Sequence, residues 1–355
     1  MINRLLTKLK IGSKRLLGRC VYSYIYIKNK VKKFFIGPNK KNHSSKNKSN
    51  IVVLAVQQWR ISVLLFVFFI AIYYGGGALI SSNINNTLNN PVVSSAVHGK
   101  KTFSALAYVL KSQVDNVAWT PALPIIFPAA VLDNLPSFQL GVKESTEYFI
   151  NKLATHYKND SLKEIAELLN YPADIWLFSQ TKDDKLAPGS AKQYRKALAN
   201  LKEFIEKENI IVTDDDLNYI LKNIIKLLNK QIINLNKHVL EHNTELLDTN
   251  ADNIFYKTQG AVYTIHYLLV AVTNDCRNQI LKTEQYENIT TALKFLSDAE
   301  ELKPLIAKNG SPNNTYQANH LLYLAYYLSR AQNYISKVYY INLIAQNKAE
   351  QPNEN

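Results

Sequence analysis

The chain has 355 residues, of which 47% are hydrophobic, and a formal net charge of +14 at pH 7. Its two cysteines exclude a disulfide-stabilised scaffold, and its 11 Gly and 11 Pro exclude a collagen-like or proline-rich chain. The hydrophobic content excludes a wholly disordered protein.

The positive charge is concentrated near the N-terminus. Residues 1–60 contain 15 basic residues and no acidic residue, and the first acidic residue of the chain is Asp115. From Asp115 to Asn355 there are 24 basic and 28 acidic residues, which gives this part a net charge of −4. Nucleic acids attract clustered Lys and Arg through their phosphates. Because the larger part of the chain is mildly acidic, we expect no nucleic-acid partner.

Residues 1–50 are predicted to form a basic cytoplasmic arm and linker. Between Met1 and Ile36, apolar residues lie among Lys and Arg, a pattern typical of an amphipathic helix lying on anionic lipid. Gly37 and Pro38 end this pattern, and residues 39–50 are a polar linker rich in Asn, Lys and Ser. A solvated tail that only sets membrane topology is the alternative that the sequence leaves open.

An uncharged apolar segment, Ile61 to Ile80, follows the arm. A helix rises about 1.5 Å per residue, so this segment is long enough to cross a hydrocarbon core of about 30 Å. Residues 51–80 are therefore predicted to contain a membrane-proximal segment and one transmembrane helix. Because the basic residues precede the segment, we expect a cytoplasmic N-terminus and an exported C-terminal domain. No A-x-A cleavage site follows, which favours an uncleaved signal anchor.

The rest of the chain is predicted to be all-α, with a linker over 81–101, an irregular bundle-like domain over 102–345 and a disordered tail over 346–355. Apolar residues recur there with a period near 3.6. Only Asp174–Phe178 is predicted to be extended. The predicted helices span Thr102–Trp119, Pro136–Tyr157, a short segment that starts at Ser161, a long segment after Thr213, Ala251–Val272, Thr283–Leu302 and Ala318–Ala345.

Local signals define several helix boundaries. Ser161 with Glu164 matches a capping box, in which two side chains satisfy free backbone N–H groups. Thr213 followed by three aspartates is a strong helix start, because acidic groups complement the positive end of a helix dipole. Gly260 inside a helical pattern predicts a close approach of two helices.

Short blocks from 132 onward stand apart from the ordinary helical pattern. They are Leu132–Pro136 with Phe138 and Gln139, Tyr171–Pro172 with Trp176, Ala251–Asp252 with Phe255, Tyr256 and Gly260, Asn309–Gly310, and Asn319–Leu321. In these blocks the chain resembles a family of uncharacterised proteobacterial inner-membrane proteins known only as a domain of unknown function. The resemblance covers most of the chain from the apolar segment onward. It implies a single-pass envelope protein with a helical periplasmic domain, and it assigns no catalytic residues.

Candidate binding residues come from these blocks and from the Pro-rich segment that begins at residue 119. They are Trp119, Asp133, Asn134, Asp252, Tyr256, Asn309, Asn319 and His320. Several also have a structural interpretation, since Asp133, Asn134 and Asp252 suit a helix start and Asn309 suits a turn. His320 is either a ligand or base, or a hydrogen-bonded structural histidine. We further hypothesise that Asp133 and Asn134 lie next to Asn319 and His320 in space.

His238, Glu241 and His242 match the zinc-protease pattern H-x-x-E-H. On a helix the two histidines lie one turn apart and can share a metal ion, with the glutamate beside them as a base. The pattern is short and lies at the end of a Lys- and Asn-rich helix. We therefore expect no metal and no other cofactor.

The sequence favours a membrane-anchored envelope protein with a structural or protein-interaction role in the periplasm. Its expected partners are the lipid bilayer, anionic lipid through the basic arm, and an envelope protein. The last helix is rich in tyrosine, a residue common at interfaces. The alternative is a periplasmic hydrolase that uses Asp133, Asp252 or His320. A pocket that gathers these three residues favours the hydrolase, whereas separate caps favour the structural role.

Overall fold

The structure is a computed structural model that describes residues 48–81, 84, 86, 88, 96–124, 126–130, 134–180, 186–242, 248, 250–280, 283–304, 307–310 and 318–350. The predicted amphipathic helix of the arm lies outside these residues. The elements in chain order are α1 (Lys48–Ser81), α2 (Lys101–Val114), α3 (Asn134–Tyr157), α4 (Asp160–Leu169), β1 (Phe178–Gln180), β2 (Leu186–Pro188), α5 (Ser190–Lys207), α6 (Leu217–His242), α7 (Asn250–Asp275), α8 (Arg277–Ile280), α9 (Thr283–Glu301) and α10 (His320–Glu350).

The predicted all-α class is confirmed over the described residues. Their only strands are β1 and β2, which form a short antiparallel pair with Phe178 opposite Pro188. Single turns of 3₁₀-helix occur at Pro128–Ala130 and Asp214–Asp216.

The chain divides into two compact units between Gly76 and Gly77. The first unit contains most of α1, whose large apolar side chains are exposed from Ile61 to Tyr73. In the described part of the chain, no helix combines the length and the hydropathy needed to cross a membrane.

In the second unit α7 is the central helix. It packs against α2, α3, α6 and α9, and Phe255 and Leu269 on α7 are completely buried. A helix enclosed by neighbours also needs partners for its polar groups. The buried amide of Gln259 donates to the carbonyl oxygens of Ala299 at 3.0 Å and Leu302 at 2.7 Å, at the end of α9.

The backbones of α3 and α7 touch where the two helices cross. A Cβ atom on Gly260 would overlap the carbonyl oxygen of Phe138, and one on Gly141 would overlap the carbonyl oxygen of Lys257. Only glycine fits at both positions, because any side chain would push the helices apart. The close approach predicted at Gly260 is confirmed.

Three predicted helix boundaries are wrong. Helix α10 continues to Glu350 rather than ending at about Ala345, so residues 346–350 of the predicted disordered tail are helical. α2 ends at Val114 rather than at Trp119, and Asp115 forms its C-cap. The N-cap of α4 is Asn159, whose side chain accepts the backbone N–H of Leu162 at 2.9 Å, so the capping box predicted at Ser161 is not used. The asparagine lies one turn before the first apolar residue of α4, and this position decides the start of the helix.

The region between α4 and α6 differs most from the prediction. The extended segment expected at Asp174–Phe178 becomes strand only at its last residue. Helix α5 was not predicted, although Tyr194, Leu198 and Leu201 form a buried stripe at helical spacing. The helix follows directly after the turn residues Pro188 and Gly189, and Gly189 is its N-cap.

The predicted helix start at Thr213 is confirmed. Its backbone N–H donates to Oδ2 of Asp216 at 2.8 Å, and its hydroxyl donates to the same oxygen at 3.0 Å. The aspartates form a 3₁₀ turn, and α6 continues from Leu217.

Candidate functional site

Polar side chains from separate segments meet beside the starts of α7 and α10. The junction cluster, as we name it, consists of His238, Asp248, Asn309, Asn319 and His320. Nε2 of His238 is hydrogen-bonded to Oδ2 of Asp248 at 2.7 Å, and both side chains are buried. The other carboxylate oxygen of Asp248 accepts the backbone N–H groups of Asn250 and Ala251 at 3.1 Å each. Asp248 therefore caps the start of α7.

Asn319 connects the segment before α10 to the helix itself. Its Nδ2 donates to Oδ1 of Asn309 at 3.1 Å and to the carbonyl oxygen of Gly310 at 2.5 Å. Its Oδ1 accepts the backbone N–H of Leu322 at 2.9 Å, which is N-cap geometry. Asn309 in turn donates to Oδ2 of Asp248 at 3.3 Å. These residues thus belong to one hydrogen-bond network.

His320 is bound to the backbone of Lys308 on two sides. The backbone N–H of His320 donates to the carbonyl oxygen of Lys308 at 2.9 Å. The ring nitrogen Nδ1 of His320 accepts the backbone N–H of Lys308 at 3.0 Å. Burial, and then the positive charge of Lys308, lower the pKa of His320 below its ordinary value. Because Nδ1 is an acceptor, the neutral ring carries its proton on Nε2. One of the two ring nitrogens is therefore already used in a structural contact.

Asp252 and Tyr256 lie one turn apart on α7 and hold the same connecting segment. The carboxylate of Asp252 accepts the backbone N–H of Ala307. The hydroxyl of Tyr256 donates to the carbonyl oxygen of Pro304 at 2.8 Å, and burial raises the pKa of this hydroxyl to about 12. Candidate residues from the blocks at 251–260 and 319–321 thus form hydrogen bonds to the same connecting segment, which contains the candidate Asn309.

The other candidates lie elsewhere or outside the described residues. Trp119 donates from Nε1 to the carbonyl oxygen of Ala173 at 2.8 Å, and its ring meets Tyr194 edge-on with the centroids 4.8 Å apart. Asn134 is the first residue of α3. Asp133 is outside the described part of the chain, so its role stays a prediction.

The hypothesised contact between the Pro-rich segment and the start of α10 is not found for Asn134. Among the described residues, no hydrogen bond joins Asn134 to Asn319 or His320. The polar atoms of those two residues bond instead to Lys308, Asn309 and Gly310, together with the first turn of α10. Their partners come from the adjacent connecting segment, which lies closer along the chain than α3.

Among the described residues, the side chains of the H-x-x-E-H motif are not grouped with further metal ligands. The rings of His238 and His242 stack with their centroids 4.4 Å apart, but Nε2 of His238 is bonded to Asp248. Glu241 is exposed and lies 3.9 Å from the ammonium group of Lys237. Of the residues that the structure describes, no group of three or more His, Cys, Asp or Glu is placed to hold a metal ion.

A second polar site, which the sequence analysis missed, is a cavity between the end of α7, α8 and α9. Its volume is about 320 Å³. Its walls include the apolar side chains of Val270, Ile289 and Leu293 and the polar side chains of Thr273, Asn274, Arg277 and Tyr286. Arg277 is one of three arginines after residue 100, in a region that otherwise uses lysine. That choice of arginine is the signal that sequence reasoning passed over.

No family model, curated protein or solved structure matches this chain. The resemblance to a family of inner-membrane proteins therefore stays a prediction. The function has to be argued from the geometry of the described residues.

The chemistry available to the junction cluster is limited by its hydrogen bonds. Burial by itself raises the pKa of Asp248, but the hydrogen bonds from His238, Asn309 and Asn250 outweigh burial and hold that pKa below its ordinary value. An ionised carboxylate whose oxygens are bound in this way is a poor base. The junction cluster is thus suited to holding the connecting segments, rather than to activating a substrate.

Proposed function

We propose that this chain is a membrane-anchored protein of the bacterial envelope, with a structural or protein-interaction role for its helical domain in the periplasm. The observation that carries the proposal is the exposed surface of α1. Large apolar side chains are exposed in almost unbroken succession from Ile61 to Ile70, and Phe66 and Phe69 are 66% and 64% exposed. Successive residues of a helix face different directions, so this apolar surface surrounds α1. Lipid is the environment that suits such a helix.

The structure describes side chains of α1 only as far as Gly77, and the sequence supports the same proposal for the residues that follow. The uncharged segment Ile61–Ile80 has the length of a membrane-crossing helix. The 15 basic residues before it, against only Lys100 and Lys101 shortly after it, favour a cytoplasmic N-terminus.

Helix α10 supports an interaction role. Tyr323, Tyr326 and Tyr340 are each more than half exposed, while Leu324 and Leu328 on the same helix are buried in the core. Tyrosine combines a large apolar ring with a polar hydroxyl, a combination enriched in protein interfaces. The alternative, a hydrolase, is less well supported, because Asp252 and His320 bond to the backbone of the neighbouring segment.

Reporter fusions to the full chain test the orientation. Alkaline phosphatase is active only outside the cytoplasm, so we expect an active enzyme when it is fused after Lys101 and an inactive one when it is fused after Asn50. The reverse pattern, or activity at neither position, would contradict the proposed topology.

Charges introduced into α1 test the anchor itself. The double variant Phe66→Arg with Phe69→Arg places two charges in the apolar segment, each costing about 2.5–3.5 kcal/mol at a membrane centre. We expect this variant to be lost from the membrane fraction after alkaline extraction. The matched control, Gln57→Arg with Gln58→Arg, places two arginines on α1 before the segment and should remain. Equal retention of both variants would contradict membrane insertion.

The basic arm is proposed to bind anionic lipid, and this part of the proposal rests on sequence alone. Each basic residue near an anionic surface contributes about 1 kcal/mol. A peptide of residues 1–36 should bind anionic vesicles and gain helical circular dichroism, but it should not bind neutral vesicles. Equal binding to both would leave the arm as a topology signal only.

A further inference from the structure

We propose that the cavity beside Arg277 binds a small organic monoanion, namely a carboxylate attached to a compact apolar body. This site goes beyond the proposed anchoring role and does not depend on it. The cavity of about 320 Å³ has the size of a small-molecule pocket and combines apolar walls with a few polar groups.

The guanidinium of Arg277 is available to a ligand. None of the described residues forms an ion pair or hydrogen bond with its side chain. The acidic residue nearest in sequence, Asp275, is buried, and its carboxylate accepts the N–H groups of Gly99 at 2.7 Å and Thr102 at 2.8 Å. Asp275 therefore caps the start of α2 and is not paired with Arg277.

The other two arginines of the helical domain differ from Arg277, because their guanidinium groups have partners among the described residues. Arg195 donates to the carbonyl oxygen of Val114 at 3.1 Å and lies 3.4 Å from the carboxylate of Asp115. Arg330 lies over the ring of Phe295, 5.4 Å from its centroid. Both have a partner within the fold, whereas Arg277 lines an open cavity.

The positive charge of Arg277 in the cavity lining favours a negatively charged ligand. Arg277 contributes the one charged side chain among the described residues that line it. A guanidinium matches a carboxylate through two parallel hydrogen bonds. A dianion such as a phosphate monoester would leave one negative charge unpaired beside apolar walls, and that is costly. The cavity therefore favours a monoanion.

The remaining lining residues suit an amphipathic ligand. Val270, Ile289 and Leu293 provide apolar contact for its body. The hydroxyl of Thr273 donates to the carbonyl oxygen of Leu269 at 2.6 Å, so its oxygen is left as an acceptor. Tyr286 also lines the cavity and is 53% exposed.

Calorimetric titration of the full chain in non-ionic detergent tests the proposal with three probes of one shape. Benzoate is the monoanion, benzamide its neutral isostere and phenyl phosphate a dianion. We expect benzoate to bind at least about tenfold more tightly than benzamide, as one charge-assisted hydrogen-bond pair allows. Phenyl phosphate should bind no more tightly than benzoate. Equal binding of benzoate and benzamide, or no binding of benzoate, would overturn the proposal, and tighter binding of phenyl phosphate would overturn its monoanion class.

Two arginine variants locate the site. Arg277→Gln should weaken benzoate binding at least about tenfold, because the ion pair is lost. Arg195→Gln removes an arginine of the same domain that does not line the cavity, and it should leave binding unchanged. Circular dichroism of both variants checks that they are folded. Unchanged binding in Arg277→Gln, or equal loss in both variants, would show that benzoate binds elsewhere and would contradict the assignment.

Discussion

The junction cluster and the Arg277 cavity are both polar, but their polar atoms are used differently. In the junction cluster, Asp248 and Asn319 are hydrogen-bonded to the backbone and to neighbouring side chains. In the cavity, Arg277 has no partner among the described residues. Asn309, Asn319 and His320 of the first region were candidates for function because they lie in the sequence blocks that carry the family resemblance. The comparison teaches that the partners of a polar group separate a structural role from a binding role.

The largest expected effect is the loss of the Asp248 carboxylate. Asp248→Ala removes the cap of α7 and leaves His238 buried without its partner. Losing an N-cap costs about 1 kcal/mol and leaving a buried polar group unpaired costs about 1–3 kcal/mol, so urea unfolding should show a loss of about 2–4 kcal/mol. The exposed neighbour variant Glu241→Ala should change the free energy of unfolding by less than about 0.5 kcal/mol. A small loss in Asp248→Ala would contradict the structural role of the junction cluster.

The contribution of Asp248 also has a definite pH dependence. Its pKa is lower in the folded protein than the ordinary value of 3.8. The folded state therefore gains stability that is complete above about pH 4 and is lost as the pH falls through the folded pKa. The difference in stability between the unmodified protein and Asp248→Ala should shrink below that pH.

Glu300 gives the next largest effect, because it is buried but lies outside both regions. Its Oε2 accepts Nδ2 of Asn86 at 2.9 Å, while its Oε1 has no hydrogen-bond partner among the described residues. Burial raises the pKa of Glu300 to about 8. The pKa of Glu300 in the unfolded chain is the ordinary value of 4.5, so below about pH 4.5 the side chain is protonated in both states and the stability is highest. The free energy of unfolding then falls as the pH rises from about 4.5 to about 8.

The variant Glu300→Gln should remove that loss. At about 1.4 kcal/mol per pKa unit, it should gain a few kcal/mol over the unmodified protein at pH 8, relative to the difference at pH 5. Thermal or urea unfolding at the two pH values measures this. The control, Glu301→Gln, changes the exposed neighbouring carboxylate and should show no such pH dependence. A parallel pH profile for both variants would mean that Glu300 is ionised in the fold.

Asn319 should show an intermediate effect. Asn319→Ala removes the N-cap of α10 and the hydrogen bonds to Asn309 and Gly310, and it should cost about 1–2 kcal/mol. The control Asn333→Ala lies on an exposed face of α10 and should change stability by less than about 0.5 kcal/mol. Equal effects in the two variants, measured by urea unfolding, would contradict the capping role.

The smallest expected effect on stability is at Arg277. Arg277→Gln should change the free energy of unfolding by less than about 0.5 kcal/mol, because none of the described residues forms an ion pair or hydrogen bond with the guanidinium. A loss above about 1 kcal/mol would show that the guanidinium has a structural partner. Arg277 would then have a structural role, as the residues of the junction cluster do, and the two regions would no longer differ in how their polar groups are used.

The sequence predicted those features of the fold that depend on local chemistry. The helical period, the helix start at Thr213 and the close approach at Gly260 all follow from residues near each other in the chain. Helix α5 was missed although Tyr194, Leu198 and Leu201 have helical spacing, and Gly189, a typical turn residue, is the cap of the helix. The start of α4 was misplaced because Asn159 and Ser161 are both good N-caps.

The candidate site was harder to predict, because it depends on distant contacts. The blocks around Asp252, Asn309 and His320 were singled out from the sequence, but their convergence on one connecting segment follows from the packing of α7 and α10. The Arg277 cavity arises where α7, α8 and α9 fail to fill space. No local pattern encodes such a gap.

The contact of Gly141 with α7 imposes an order on folding. Gly260 lies about 120 residues after Gly141, and a ribosome adds about 5–20 residues per second. Helix α3 therefore waits roughly 6–24 s before the helix that covers it has been synthesised. Throughout that interval its apolar face needs protection from aggregation. Until α7 has been made, α3 can pack only against helices synthesised earlier or directly after it, such as α2 and α4.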